Sequence, residues 1–126
     1  MQIARRILIG LAWLYVLGVA IQFWLAGIGL PQLGDESMKA HEAFGYSALH
    51  LTPILFIILA LVAKAPRTTI GLTVVFAVVA FVQPIWAAEF EGEFLASLHI
   101  LGALAIFALA HTLARQATRL LQSTAE

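Results

Sequence analysis

Four histidines, His41, His50, His99 and His111, lie in or at the edge of long apolar runs that contain no Asp, Glu, Lys or Arg. An ionisable group is expensive to place in such surroundings, so its presence reads as functional. Neutral imidazole is also the commonest metal ligand among the side chains. The chain has no cysteine, and its apolar runs hold no carboxylate. A compact zinc or di-iron site, which draws on several such ligands, is therefore not expected. The same absence excludes disulfides, cysteine-attached haem and a cysteine nucleophile. Two lone histidines on two facing helices suit one flat tetrapyrrole, whose iron needs only axial ligands from the protein.

Two glutamines are buried in the same runs. The chain reads Gln-Phe-Trp-Leu-Ala-Gly from Gln22 and Gln-Pro-Ile-Trp-Ala-Ala from Gln83. His41 follows Gln22 by 19 residues, and His99 follows Gln83 by 16. About one helical turn after each histidine comes a small residue, Gly45 in the first case and Gly102 with Ala103 in the second. The spacing predicts two similar helical hairpins, related by an axis along the membrane normal. Small residues let helices approach closely, and here Gly45 and Gly102 are expected to let a macrocycle lie against the helix. Gln22 and Gln83 are expected to hydrogen-bond a ring nitrogen or a haem edge. Their plainer role is hydrogen bonding between helices.

The repeat pairs His41 with His99 as metal ligands. Depth suggests a second pairing. His50 stands 8 residues beyond Glu42, and His99 stands 6 beyond Glu93. At about 1.5 Å per residue those depths differ by about 3 Å, whereas His41 and His99 differ by about 10 Å. His50 therefore stays a candidate ligand. A second haem held by His50 and His111 is disfavoured. At about 100° per residue, His50 lies about 180° round from His41, and His111 about 120° round from His99. His111, beside Arg115, reads as an interfacial residue. Trp24 and Trp86 fall toward span ends, where tryptophan forms a belt. No Gly-rich phosphate loop, Ser-His-Asp arrangement or zinc-protease motif is present, so no catalytic residue is assigned.

The elements that must position these residues follow from composition. The chain of 126 residues is 62% hydrophobic and 11% charged, with a mean hydropathy of +0.96. Soluble domains are about 45–50% apolar and about 25% charged, so this chain is expected in a lipid bilayer. A transmembrane helix needs about 20 apolar residues, and four such spans fit, at about 7–30, 41–63, 68–88 and 94–114, in one domain covering 1–126. The first run exceeds the roughly 7–15 residues of a cleavable signal core, so it reads as a span. Pro31 closes it, and Asp35-Glu36-Ser37 offers N-caps for the second. Lys64-Ala65-Pro66-Arg67 makes a tight turn, and Glu89, Glu91, Gly92 and Glu93 form the third connection. Pro53 is expected to kink the second span, and Pro84 to free the carbonyl of Ala80. Short links make sequential helices antiparallel. The expected fold is an all-α integral-membrane four-helix bundle, up-down-up-down, with two tandem hairpins as a parallel internal repeat. Arg5, Arg6, Lys64, Arg67, Arg115 and Arg119 fall on one side and only Lys39 on the other. Basic residues stay cytoplasmic, which predicts a multi-pass protein of the cell inner membrane with both termini in the cytoplasm. Seven basic and seven acidic residues balance, so there is no electrostatic footprint for nucleic acid.

With these residues in place, the sequence resembles one four-helix half of the haem A synthase superfamily. Each half there carries a histidine early in its second helix and another in its fourth, with a glutamine-containing apolar segment in each preceding helix. The matching positions here are Gln22 with His41-Glu42-Ala43-Phe44-Gly45, and Gln83 with Leu98-His99, within about residues 8–114. The resemblance implies that His41 and His99 are axial ligands of a b-type haem. Glu42 stands where the family usually has arginine, and Met38 where its synthase half has glutamate, so the hydroxylating activity is not implied. The chain also looks like small four-helix bacterial membrane proteins of unassigned function. The expected role is a small membrane haem b protein for electron transfer or haem handling, alone, as a homodimer or within a larger complex. The alternative is a non-catalytic accessory subunit of a respiratory, photosynthetic or transport complex, its histidines structural or ligating a chlorophyll-type pigment. A proton- or solute-conducting role is disfavoured by the lack of an intramembrane carboxylate.

Overall fold

A backbone crossing lipid must satisfy its own polar groups, and each charge-free run does so as helix. The computed structural model describes residues 1–28, 35–89 and 97–122. Its elements are α1 (Gln2–Ile28), α2 (Asp35–Phe44), a π-turn (Gly45–Leu49), α3 (Thr52–Val62), α4 (Arg67–Glu89) and α5 (Leu98–Gln122). The expected connections around Pro31 and around Glu91–Glu93 lie outside the described residues. Four segments are long and apolar enough to span a bilayer: Gln2–Gly27, Glu36–Val62, Arg67–Ala87 and Leu98–Gln122. The first and last run further toward the chain termini than the apolar stretches alone predict, because Arg5, Arg6, Arg115 and Arg119 all sit within helix.

The second span is α2, the π-turn and α3 in succession. Pro53 has no N–H, so the carbonyl of Leu49, four residues earlier, loses its helical donor. The Tyr15 hydroxyl donates to that carbonyl instead, at 3.2 Å. Just before it, the His50 N–H reaches back five residues to the Gly45 carbonyl at 2.9 Å, a wide turn of the π kind. Pro84 stands inside α4, which is helical from Arg67 through Glu89.

The turn from α3 to α4 is a Schellman motif. The Ala65 N–H bonds the Ala60 carbonyl at 2.9 Å, and the Lys64 N–H bonds Leu61 at 3.0 Å. Lys64 takes the left-handed position with φ 51°. Pro66 follows, where a helix cannot continue backwards. Arg5 ties this end together, donating to the Ala63 carbonyl at 3.3 Å and to the Leu120 carbonyl at 3.2 Å.

The bundle is an up-down-up-down square. α5 packs on α1 and α4, while α3 packs on α1 and α4, so the second and fourth spans stand on a diagonal. α2 lies against α1 and makes no backbone contact with α4 or α5. The close-packed core therefore sits toward the chain termini. It is built from Leu8, Ala12, Tyr15 and Val19 on α1, Phe56 on α3, Phe76 and Ala80 on α4, and Ile106 to Ala117 on α5. Tyr15, Phe56 and Phe76 meet edge to face at 5.0–5.6 Å. Large side chains such as Leu17, Ile54, Leu61, Val78 and Leu101 are more than half or nearly half exposed on the outer surface. That is a lipid-facing surface in a protein of this composition.

Candidate functional site

At the end away from the termini the two hairpins carry the same clamp. In the first, the Gln22 amide Nε2 donates to the His41 carbonyl at 3.0 Å, and His41 Nδ1 lies 3.2 Å from the Gln22 carbonyl. In the second, the Gln83 Nε2 donates to the His99 carbonyl at 3.2 Å, and His99 Nδ1 lies 3.2 Å from the Gln83 carbonyl. A backbone carbonyl only accepts. Both Nδ1 atoms therefore carry a proton, and in a neutral ring Nε2 then keeps its lone pair. The second clamp agrees independently, since Gln83 Nε2 also approaches His99 Nε2 at 3.3 Å, as a donor approaches an acceptor. In this tautomer His41 can ligate through Nε2 with Nδ1–H anchored behind it, whereas His99 Nε2 is engaged by the Gln83 amide, which has to turn away before that ring can ligate.

The glycines serve the clamps differently from expectation. A Cβ on Gly45 would lie 2.6 Å from Gln22 Nε2, and one on Gly102 would lie 3.2 Å from Gln83 Cγ. The space over each glycine is thus taken by a glutamine side chain. Only in the second clamp does the glutamine amide also meet a ring nitrogen. The backbone carbonyl of each glutamine holds Nδ1, a partner with no sequence signature. Gln22 Oε1 is buried and has no hydrogen-bond partner among the described residues.

The two clamps face each other across the diagonal. The His41 and His99 rings stand 6.2 Å apart between centroids, with their planes at 67°. His50 is not part of this arrangement. Its ring packs edge to face on Phe81 at 4.6 Å and near Tyr46 at 5.9 Å. His111 lies toward the opposite end of the bundle, 5.7 Å from Trp13. The structure therefore brings together the pair read from the repeat and separates the pair read from depth. Depth counting took Glu42 as the membrane boundary. Glu42 is exposed and α2 begins earlier, at Asp35, so helix and clamp start outside the charge-free run. No cluster of three or more metal-ligating side chains exists among the described residues.

A second feature stands at the opposite end of the bundle, without a motif in the sequence. Trp13, His111, Arg115, Thr118, Arg119 and Gln122 line a cleft of about 350 Å³ between α1 and α5. Its signal was present as basic residues at 111, 115 and 119, which share one helix face.

Comparison with protein-family models, curated proteins and solved structures finds no match to this chain. What the fold and site define is a class: an integral-membrane four-helix bundle made of two like hairpins, each presenting one oriented histidine.

Proposed function

We propose that the chain binds one b-type haem, with His41 and His99 as its axial ligands through Nε2, and serves one-electron transfer or haem handling. The observation that carries this reading is the pair of clamps, which hold two Nδ1-protonated imidazoles 6.2 Å apart on diagonal helices. Metal–imidazole bonds are about 2.0–2.1 Å long. With ring bonds of about 1.33 Å, two imidazoles on opposite sides of one ion have centroids about 6.4 Å apart. An edge-to-face aromatic pair also falls within about 4.5–7 Å, but such a pair needs no common tautomer. The lack of backbone contact between α2 and α4 or α5 supports the fit, because between these described elements only side chains meet.

Haem supplies the electron-accepting iron. The protein's part is to orient the two rings through the Gln22 and Gln83 carbonyls and to surround them with apolar side chains. Two histidine ligands leave no open iron position, which favours electron transfer over oxygen chemistry. Lys39 is the sole basic residue at this end and already pairs with Glu36 at 2.9 Å. Propionate charge therefore adds little, and axial ligation with apolar contact provides the affinity. In the same reading both termini are cytoplasmic, in a cell inner membrane, since the basic end carries Arg5, Lys64, Arg67 and Arg115. In the accessory-subunit alternative both clamps are structural hydrogen bonds within each hairpin, or one histidine ligates a chlorophyll-type pigment; neither form uses the facing of the two rings.

The test is an absorption spectrum of the protein purified from haem-supplemented cells. Soret and α bands are expected in the wild type, in His50→Ala and in His111→Ala, and absent from His41→Ala and His99→Ala. Haem retained in both of the latter variants, or absent from the wild type, overturns the proposal.

A further inference from the structure

We infer that the cleft between α1 and α5 at the terminal end of the bundle is a binding site for the phosphate headgroup of an anionic membrane lipid. Among the described residues its lining offers hydrogen-bond donors and positive charge and no carboxylate: Trp13, His111, Arg115, Thr118, Arg119 and Gln122. Arg115 and Arg119 are one turn apart on the same face of α5 and both are exposed. Neither has an ion-pair or hydrogen-bond partner among the described residues, where the single salt bridge is Lys39–Glu36. Arg5, by contrast, is engaged by two backbone carbonyls and holds the helix ends together. Two like charges at this spacing repel each other on a bare helix, and a phosphate between them turns repulsion into charge-assisted hydrogen bonds.

One side of the cleft is tied together by hydrogen bonds. The Trp13 indole N–H donates to Thr118 Oγ1 at 3.4 Å, and that hydroxyl donates in turn to the Ala114 carbonyl at 2.8 Å. The His111 ring meets the indole edge at 5.7 Å. The tryptophan and threonine are thereby occupied with each other, which leaves the two guanidinium groups, the imidazole and the Gln122 amide for a ligand. Position argues for a lipid. α5 is 25 residues long, about 37 Å, against a hydrocarbon thickness of about 30 Å. Its last turns therefore reach the headgroup layer, on the side where the other basic residues gather. Basic pockets between helices at this level recognise anionic headgroups. An oxyanion on the arginines with an acyl chain beside Trp13 and the exposed Leu14 and Leu17 uses both parts of the surface. This inference is independent of haem binding.

The experiment is native mass spectrometry of the full chain from equimolar micelles of phosphatidylglycerol and phosphatidylcholine, with a parallel arm in inorganic phosphate alone. Phosphatidylglycerol is expected to be retained preferentially. Each arginine near an anionic lipid contributes about fivefold in affinity, so Arg115→Gln with Arg119→Gln should reduce retention about 25-fold. Arg6→Gln, outside the cleft, removes one charge without touching the site and should reduce retention by no more than about fivefold. Arg115→Lys with Arg119→Lys keeps the charge and should retain most of the binding, which guards against a folding defect in the glutamine variant. Equal retention by the double glutamine variant overturns the site. Binding of inorganic phosphate with no preference between the two lipids overturns the lipid as its ligand.

Discussion

Gly45→Ala and Gly102→Ala are formally the same change at equivalent places in the two hairpins, yet their consequences should differ. At Gly45 the new methyl meets Gln22 Nε2 at 2.6 Å, and that amide is held by its 3.0 Å hydrogen bond to the His41 carbonyl. The amide, the far end of a flexible side chain, must swing away. It then loses that bond and is left unpaired in apolar surroundings, at about 1–3 kcal/mol. Alanine returns about 0.8–1 kcal/mol of helix propensity, so the net loss is about 1 kcal/mol. At Gly102 the nearest atom is Gln83 Cγ at 3.2 Å, a methylene that yields by a few tenths of an ångström. The small strain there and the propensity gain nearly cancel, within about 0.5 kcal/mol of zero. The difference of about 1 kcal/mol is roughly fivefold in an unfolding equilibrium. It can be read from detergent denaturation followed by circular dichroism, with haem retention as a second readout. Only Gly45→Ala should weaken haem binding, because only it dislodges a clamp. Equal stability of the two variants would refute the reasoning that these glycines exist to seat the glutamines.

Tyr15→Phe should destabilise by about 1–3 kcal/mol by leaving the Leu49 carbonyl without its donor. In a Pro53→Ala background the restored N–H should cut that loss by more than half, so a double-mutant cycle in the same denaturation assay that shows additivity contradicts the account. Lys64→Gly should stabilise by roughly 0.5–1 kcal/mol, the left-handed strain relieved at φ 51° less the entropy of glycine. A fall in the thermal midpoint would contradict it. Lys39→Ala should change haem affinity by less than about fivefold, as expected of an exposed pair, and a larger loss in a haem titration would assign the propionates to that end.

Much of this protein can be read along one dimension. Spans, their alternation and the basic end follow from hydropathy and charge, because a backbone in lipid has few alternatives to helix and arginine resists translocation. The hairpin repeat was also visible in Gln22, His41 and Gly45 beside Gln83, His99 and Gly102, since residues that meet across a hairpin keep their spacing from its turn. The repeat pointed to His41 with His99 and depth to His50 with His99, and what decides between them was not readable. That depends on where α2 begins, on the π-turn that shifts the face presented by residues after Gly45, and on the diagonal placement of the second and fourth spans. Nor could sequence tell that backbone carbonyls hold the rings, because every residue has one. The cleft at Arg115 and Arg119 needed Trp13 brought against α5 from the far end of the chain. Local periodicity says which face a side chain occupies, and only packing says what stands opposite it.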